Sequence, residues 1–210
     1  MRQIKSIRCL LAVVLTAWVA AAQAADGASL YKACAACHGA QGEGIAAQGA
    51  PNIGGMPVWY VARQIDNFAL GRRGMATDDK WGKQMRGAVA ALSAADRTAV
   101  AAHVASLPNY SGGGTALAAG ADLKAGATQY NAICSGCHGG SGRGNQPLAA
   151  PPLAGVESTY LARQLAAFRL GQRGAHADDA PGRQMAAMSK TLRDAAAERN
   201  VIAYIASLKP

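Results

Sequence analysis

The pentapeptide Cys34-Ala35-Ala36-Cys37-His38 recurs as Cys134-Ser135-Gly136-Cys137-His138, one hundred positions further along the chain. A fold for this sequence must present the same chemistry twice. Two thiols separated by two residues at the start of a helix can each add to one vinyl group of a single porphyrin, and the adjacent histidine then directs its imidazole at the iron. This is the spacing of c-type haem attachment. A thioredoxin-like redox pair would use the same cysteines, but in a βαβ context that is missing here. A zinc site could draw four ligands from the two pairs. The histidine that follows at once in both copies, with a matching methionine in each half, favours two covalently attached haem c groups.

The repeat extends well beyond the motif. VWYVARQIDNFALGRRG (58–74) returns as STYLARQLAAFRLGQRG (158–174), Pro51 matches Pro151, and Gln84-Met85 matches Gln184-Met185. Two small domains are therefore expected, over about 25–108 and 120–210, joined by a Gly- and Ala-rich connector at 109–119. Each half reads as a few helices. The first leads into the motif from about Ala28 and about Ala127, a second covers Val58 to Leu70 and Thr159 to Leu170, and the last covers Ala94 to Leu107 and Ala195 to Leu208. In the last helix the register slips by one, so that His103 pairs with Tyr204. No strand ladder is evident. Domains this small have small cores, and a covalently held apolar macrocycle would supply missing interior, so the apoprotein is expected to fold poorly.

Residues 1–24 carry the pattern of a cleaved secretory signal: Arg2, Lys5 and Arg8, an apolar stretch from Leu10 to Ala22, and Ala22-Gln23-Ala24. The apolar run is short against the ~20 residues a membrane span requires. Periplasmic location is the expectation. Without the three basic residues of the signal, 18 Lys and Arg face 12 Asp and Glu, a formal charge of +6 before any propionates are counted. Such a field favours an acidic docking patch on a redox partner. Nucleic acid is a poor partner for a chain with no concentrated basic tract.

His38 and His138 are the expected iron ligands on one face. On the other face, the duplication selects Met85 and Met185, because Met56, Met75 and Met188 pair with Val156, Ala175 and Ala88. Met188, one turn from Met185, is held in reserve. Imidazole and thioether together favour reduced iron and leave no coordination position vacant. The carbonyls near Pro51 and Pro151 could fix the proximal rings. Tyr60, Arg63, Gln64, Arg73 and their counterparts Tyr160, Arg163, Gln164 and Arg173 could bind propionates, join the two domains, or line solvated helix faces.

These residues resemble the dihaem cytochrome c4 family. The carriers are the two haem motifs, Pro51-Asn52-Ile53-Gly54-Gly55 with Pro151-Pro152-Leu153-Ala154-Gly155, the Tyr-x-x-x-Gln helices, and Met85 to Ser93. The second copy of that last segment keeps Met185 and Leu192 but not the closing serine. The resemblance implies an all-α fold of two tandem class I cytochrome c domains related by internal duplication, with an approximate two-fold axis. It implies a soluble or peripherally membrane-associated carrier between a cytochrome bc complex or periplasmic dehydrogenase and a terminal oxidase. The segment Arg173 to Asp179 also looks like cytochrome domains attached to oxidases and dehydrogenases. A dedicated cytochrome subunit of a thiosulfate or alcohol dehydrogenase is the alternative, and a dihaem peroxidase is disfavoured by the two matched methionines.

Overall fold

The computed structural model describes residues 26–109 and 119–210, so the predicted signal segment and most of the predicted connector lie outside the described residues. The described residues form helices α1 (Gly27–His38), α2 (Val58–Ala69), α3 (Lys80–Val89), α4 (Ala94–Ser106), α5 (Leu123–Ile133), α6 (Ser135–His138), α7 (Ser158–Arg169), α8 (Ala180–Ser189) and α9 (Ala195–Ser207). Among them the only β pairing is one isolated bridge per half, Ile45 with Ala50 and Asn145 with Ala150. The expected all-α architecture of two tandem domains is present.

Local chemistry explains where most helices start. Asp26, Asp79, Asp122, Asp179 and Asp194 each accept a backbone N–H of the first turn, and Ser93 forms a reciprocal capping box with Asp96. The Asp122 cap starts α5 at Leu123, four residues before the expected Ala127. Helices α3 and α8 have no counterpart in the sequence reading. Gly82 and Gly87 in α3, and Pro181 with Gly182 in α8, give these segments weak helical propensity, and the cap at Asp79 or Asp179 was the one local signal for them.

In each half the last helix packs on the first two long helices, and it crosses the first at a glycine. Gly27 lies against the Ala99 carbonyl and His103 of α4, and Gly126 lies against the Asn200 carbonyl and Tyr204 of α9. A Cβ at either glycine would overlap that carbonyl oxygen. Next to the crossing, the Tyr31 ring meets His103 at 5.1 Å and Tyr130 meets Tyr204 at 5.3 Å, while their hydroxyls donate to the Gly39 and Gly139 carbonyls at 2.8 and 2.6 Å. The slipped register expected for the last helix is thus real, and His103 has a packing role.

Tyr31 stands three residues before Cys34, whereas Tyr130 stands four before Cys134. The C-terminal half absorbs the extra residue at Cys134 (φ −104°, ψ −38°), where α5 ends and the one-turn α6 begins. In the N-terminal half the motif closes α1, as expected of a helix that leads into it, whereas in the C-terminal half α5 leads up to Cys134 and the rest of the motif forms α6.

Candidate functional site

Each Cys-x-x-Cys-His motif ends at a glycine with φ near +80°, Gly39 or Gly139, which turns the chain sharply away from the helix. The loop that follows returns along the proximal histidine. His38 Nδ1 lies 2.9 Å from the Pro51 carbonyl and His138 Nδ1 lies 2.8 Å from the Pro151 carbonyl. A carbonyl can only accept, so Nδ1 carries the proton and Nε2 is the nitrogen left to bind a metal. Burial holds both imidazoles below their ordinary pKa against the opposing effect of that hydrogen bond, which keeps them neutral and ligand-competent.

No disulfide joins the four cysteines of the two motifs, and burial pushes the Cys34 thiol up and the Cys134 thiol up to about 11. A thioredoxin-like pair does the reverse, using a helix N-terminus to lower a thiol pKa. In the N-terminal half the motif also lies at the C-terminal end of α1, where the macrodipole opposes a thiolate. Nor do the two pairs converge on zinc: among the described residues, no group of three or more His, Cys, Asp or Glu is placed to hold a metal.

A cavity of about 510 Å³ runs through both halves, and its wall includes both Cys-Cys-His sets together with Met56, Met85, Met185 and Met188. Met85 packs against the N-terminal core from α3, and Met185 and Met188 both stand on α8. Met75 is exposed and lies off this wall, with its sulfur beside Arg86. Met56 packs against the cores of both halves, a bridging position that Val156 does not reproduce in the first half. His176 is exposed beside Asp178.

The recurring polar residues join the domains. Arg73 donates to Gln64 in its own half and to Gln164 across the boundary, both at 2.7 Å, and to the Tyr160 hydroxyl at 3.3 Å. Arg173 mirrors it with Gln164 at 2.7 Å, Gln64 at 2.9 Å and Tyr60 at 3.3 Å. Each guanidinium also lies over the phenylalanine of its own half, Phe68 at 4.4 Å and Phe168 at 4.5 Å. Burial, then Arg173, pushes the Arg73 guanidinium down from its ordinary value. Against the burial that raises it, the two arginines hold the Tyr160 phenol below its ordinary value.

Two further arginines cross the boundary in the same paired fashion. Arg63 donates to the Ala149 carbonyl at 2.9 Å, and Arg163 donates to the Gly49 carbonyl. Their Nε groups are buried without a hydrogen-bond partner among the described residues. The structure therefore fits two haem groups on several counts. An apolar crevice receives the ring, paired thiols flank a neutral imidazole oriented by its second nitrogen, and the buried Nε groups of Arg63 and Arg163 in the same cavity have no acceptor among the described residues.

The cytochrome c family model matches residues 24–108 and again 123–209. Cytochrome c4 of Azotobacter vinelandii is 33% identical over 179 residues, which cover 80% of this chain and 82% of that protein. The chain belongs to the cytochrome c4 family. Its two domains are those of a dihaem electron-transfer cytochrome, with one covalent haem c at each Cys-x-x-Cys-His motif. Within the same range of similarity, the thiosulfate dehydrogenase electron acceptor of Stutzerimonas stutzeri is 37% identical, over 84% of this chain and 86% of that protein. Among solved structures, thiosulfate dehydrogenase (TsdBA) from Marichromatium purpuratum superposes with a TM-score of 0.65 at 28% identity. The match covers 86% of this chain but only 39% of that one. Among the described residues of this cytochrome no helix is long and apolar enough to cross a membrane.

Proposed function

We propose that this cytochrome is a periplasmic two-centre electron carrier without a substrate of its own, in which His38 and Met85 ligate the iron of the N-terminal domain and His138 and Met185 that of the C-terminal domain. Bound haem supplies one-electron chemistry at iron. The chain holds each imidazole in one tautomer through Pro51 or Pro151, presents a thioether from α3 or α8 on the same cavity wall, and keeps apolar side chains around the crevice. The observation that carries this reading is the duplicated arrangement of histidine, proline carbonyl and methionine around one continuous cavity. Met185 is preferred to Met188 because Met188 has Ala88 at the matching position.

The upstream partner that the relatives favour is a thiosulfate dehydrogenase, with the electron passed on to a terminal oxidase; delivery from a cytochrome bc complex is the second reading, which the family resemblance implies. The test combines mass spectrometry of exported protein, which should show two attached macrocycles, with stopped-flow mixing of the oxidised cytochrome and a thiosulfate dehydrogenase turning over thiosulfate. Reduction of both centres within the enzyme's turnover time supports the assignment. High-spin haem in either domain, or turnover of peroxide by the reduced protein, would overturn it.

A further inference from the structure

Arg63 and Arg163 each end on the backbone of the domain to which they do not belong, and the carbonyls they reach have a particular place in the fold. Gly49 and Ala149 stand two residues before Pro51 and Pro151, the carbonyls that receive the Nδ1 protons of His38 and His138. The intervening residues have no slack. Ala50 is paired with Ile45, and Ala150 with Asn145, by two backbone hydrogen bonds each. A displacement at position 49 or 149 is therefore passed to the proline carbonyl.

Two independent observations show that these carbonyls are held under constraint. Ala149 is the only non-glycine residue with positive φ among the described residues, at 54°. A left-handed alanine persists only where its surroundings over-determine it. The arginines are themselves fixed: Arg63 lies over Trp59 at 5.0 Å and Tyr60 at 5.5 Å, and Arg163 over Tyr160 at 5.3 Å and Trp81 at 5.7 Å. Trp81 in turn packs directly on Gly49.

We infer that Arg63 and Arg163 are crossed positioning residues, Arg163 setting the hydrogen bond of His38 through Gly49 and Pro51, and Arg63 that of His138 through Ala149 and Pro151. Each centre's proximal ligand is oriented partly by the domain that does not contain it. This rests on the assignment of His38 and His138 as proximal ligands made above. Because that hydrogen bond tunes ligand basicity, docking of the domains is built into the redox properties of both.

The experiment uses the holoprotein labelled with 15N-histidine and follows solvent exchange of the two proximal Nδ1 protons by NMR, alongside a potentiometric titration. In Arg163→Gln the His38 proton should exchange about tenfold faster with that of His138 unchanged, and one potential should move. Arg63→Gln should give the opposite pattern, and Arg→Lys at either position should restore most of the protection. Trp81→Leu, which loosens Arg163 without removing its charge, should reproduce the His38 change should the glutamine variant not accumulate. Equal acceleration at both histidines, a change confined to the arginine's own domain, or no change with both haems bound would overturn the crossed arrangement. A wild-type protein carrying fewer than two haems would instead remove the assignment on which it rests.

Discussion

Arg73 and Arg173 donate to the same two amide oxygens, Gln64 Oε1 and Gln164 Oε1, at 2.7 to 2.9 Å. Two buried guanidiniums thus share two neutral acceptors across the domain boundary, in a four-membered arrangement to which each copy of the duplicated segment gives a helical glutamine and an arginine from the turn that follows. The like charges do not hold the domains together. The shared amides and the two tyrosine hydroxyls do, because an unsatisfied buried guanidinium is costlier than a satisfied one.

Gln164→Leu should therefore weaken the boundary more than its lost area suggests. It strips one acceptor from each arginine, and hydrogen bonds to charged groups contribute about 1.5–3 kcal/mol each. Chemical denaturation of the holoprotein should show a loss of about 3 kcal/mol, whereas Gln164→Glu, which keeps the acceptor, should show none of it.

At the two centres, Met85→Ala and Met185→Ala should each abolish about half of the methionine-to-iron charge-transfer absorption of the oxidised protein and lower one of the two reduction potentials. Met188→Ala should leave both unaltered. Loss of the band in Met188→Ala with retention in Met185→Ala would exchange their roles.

Ala149 and Gly49 occupy the same left-handed turn in the two halves, at φ 54° and 65°. Ala149→Gly should relieve strain and stabilise the holoprotein by about 1 kcal/mol. Gly49→Ala should destabilise it by more than that, because the new Cβ would press on the Trp81 ring as well. Thermal unfolding of the two variants under one set of conditions checks both signs.

Glu157 gives the boundary a pH dependence. Its carboxylate accepts the Asn52 N–H at 2.7 Å, and burial raises its pKa above the ordinary 4.5 against the lowering effects of that bond, its own backbone N–H and Arg163. A raised folded value means that the folded state binds the proton more tightly, so stability is greatest below the unfolded value and declines as pH rises through the folded one. Glu157→Gln should flatten that slope and leave the protein more stable than wild type at neutral pH, as followed by thermal unfolding from pH 4 to 7.

Much of the site was legible in the sequence because its chemistry is local. Cys34, Cys37 and His38 lie within one turn, and the shift of one hundred positions selected Met85, Met185, Pro51 and Pro151 without coordinates. The slipped pairing of His103 with Tyr204 was legible for the same reason. The helix carrying each methionine was not, since glycine and proline in α3 and α8 mask a helix that is fixed by its aspartate cap and by packing.

Two equivalent attachment sites, each a cysteine pair followed by histidine, can be read from the chain alone, because duplication preserves spacing and covalent attachment depends on spacing. What Arg63, Arg73 and their counterparts do emerges from the folded arrangement, because a side chain that crosses to the other domain has its partner 86 to 114 residues away and no local pattern encodes it. The same holds where the copies differ. Asn52 donates to Glu157 and to the Gly155 carbonyl, while their counterparts Pro152 and Pro57 lack both the donor and the carboxylate. That contact exists once, and it breaks the two-fold relation at a place where the matched sequences alone show only a proline beside an asparagine.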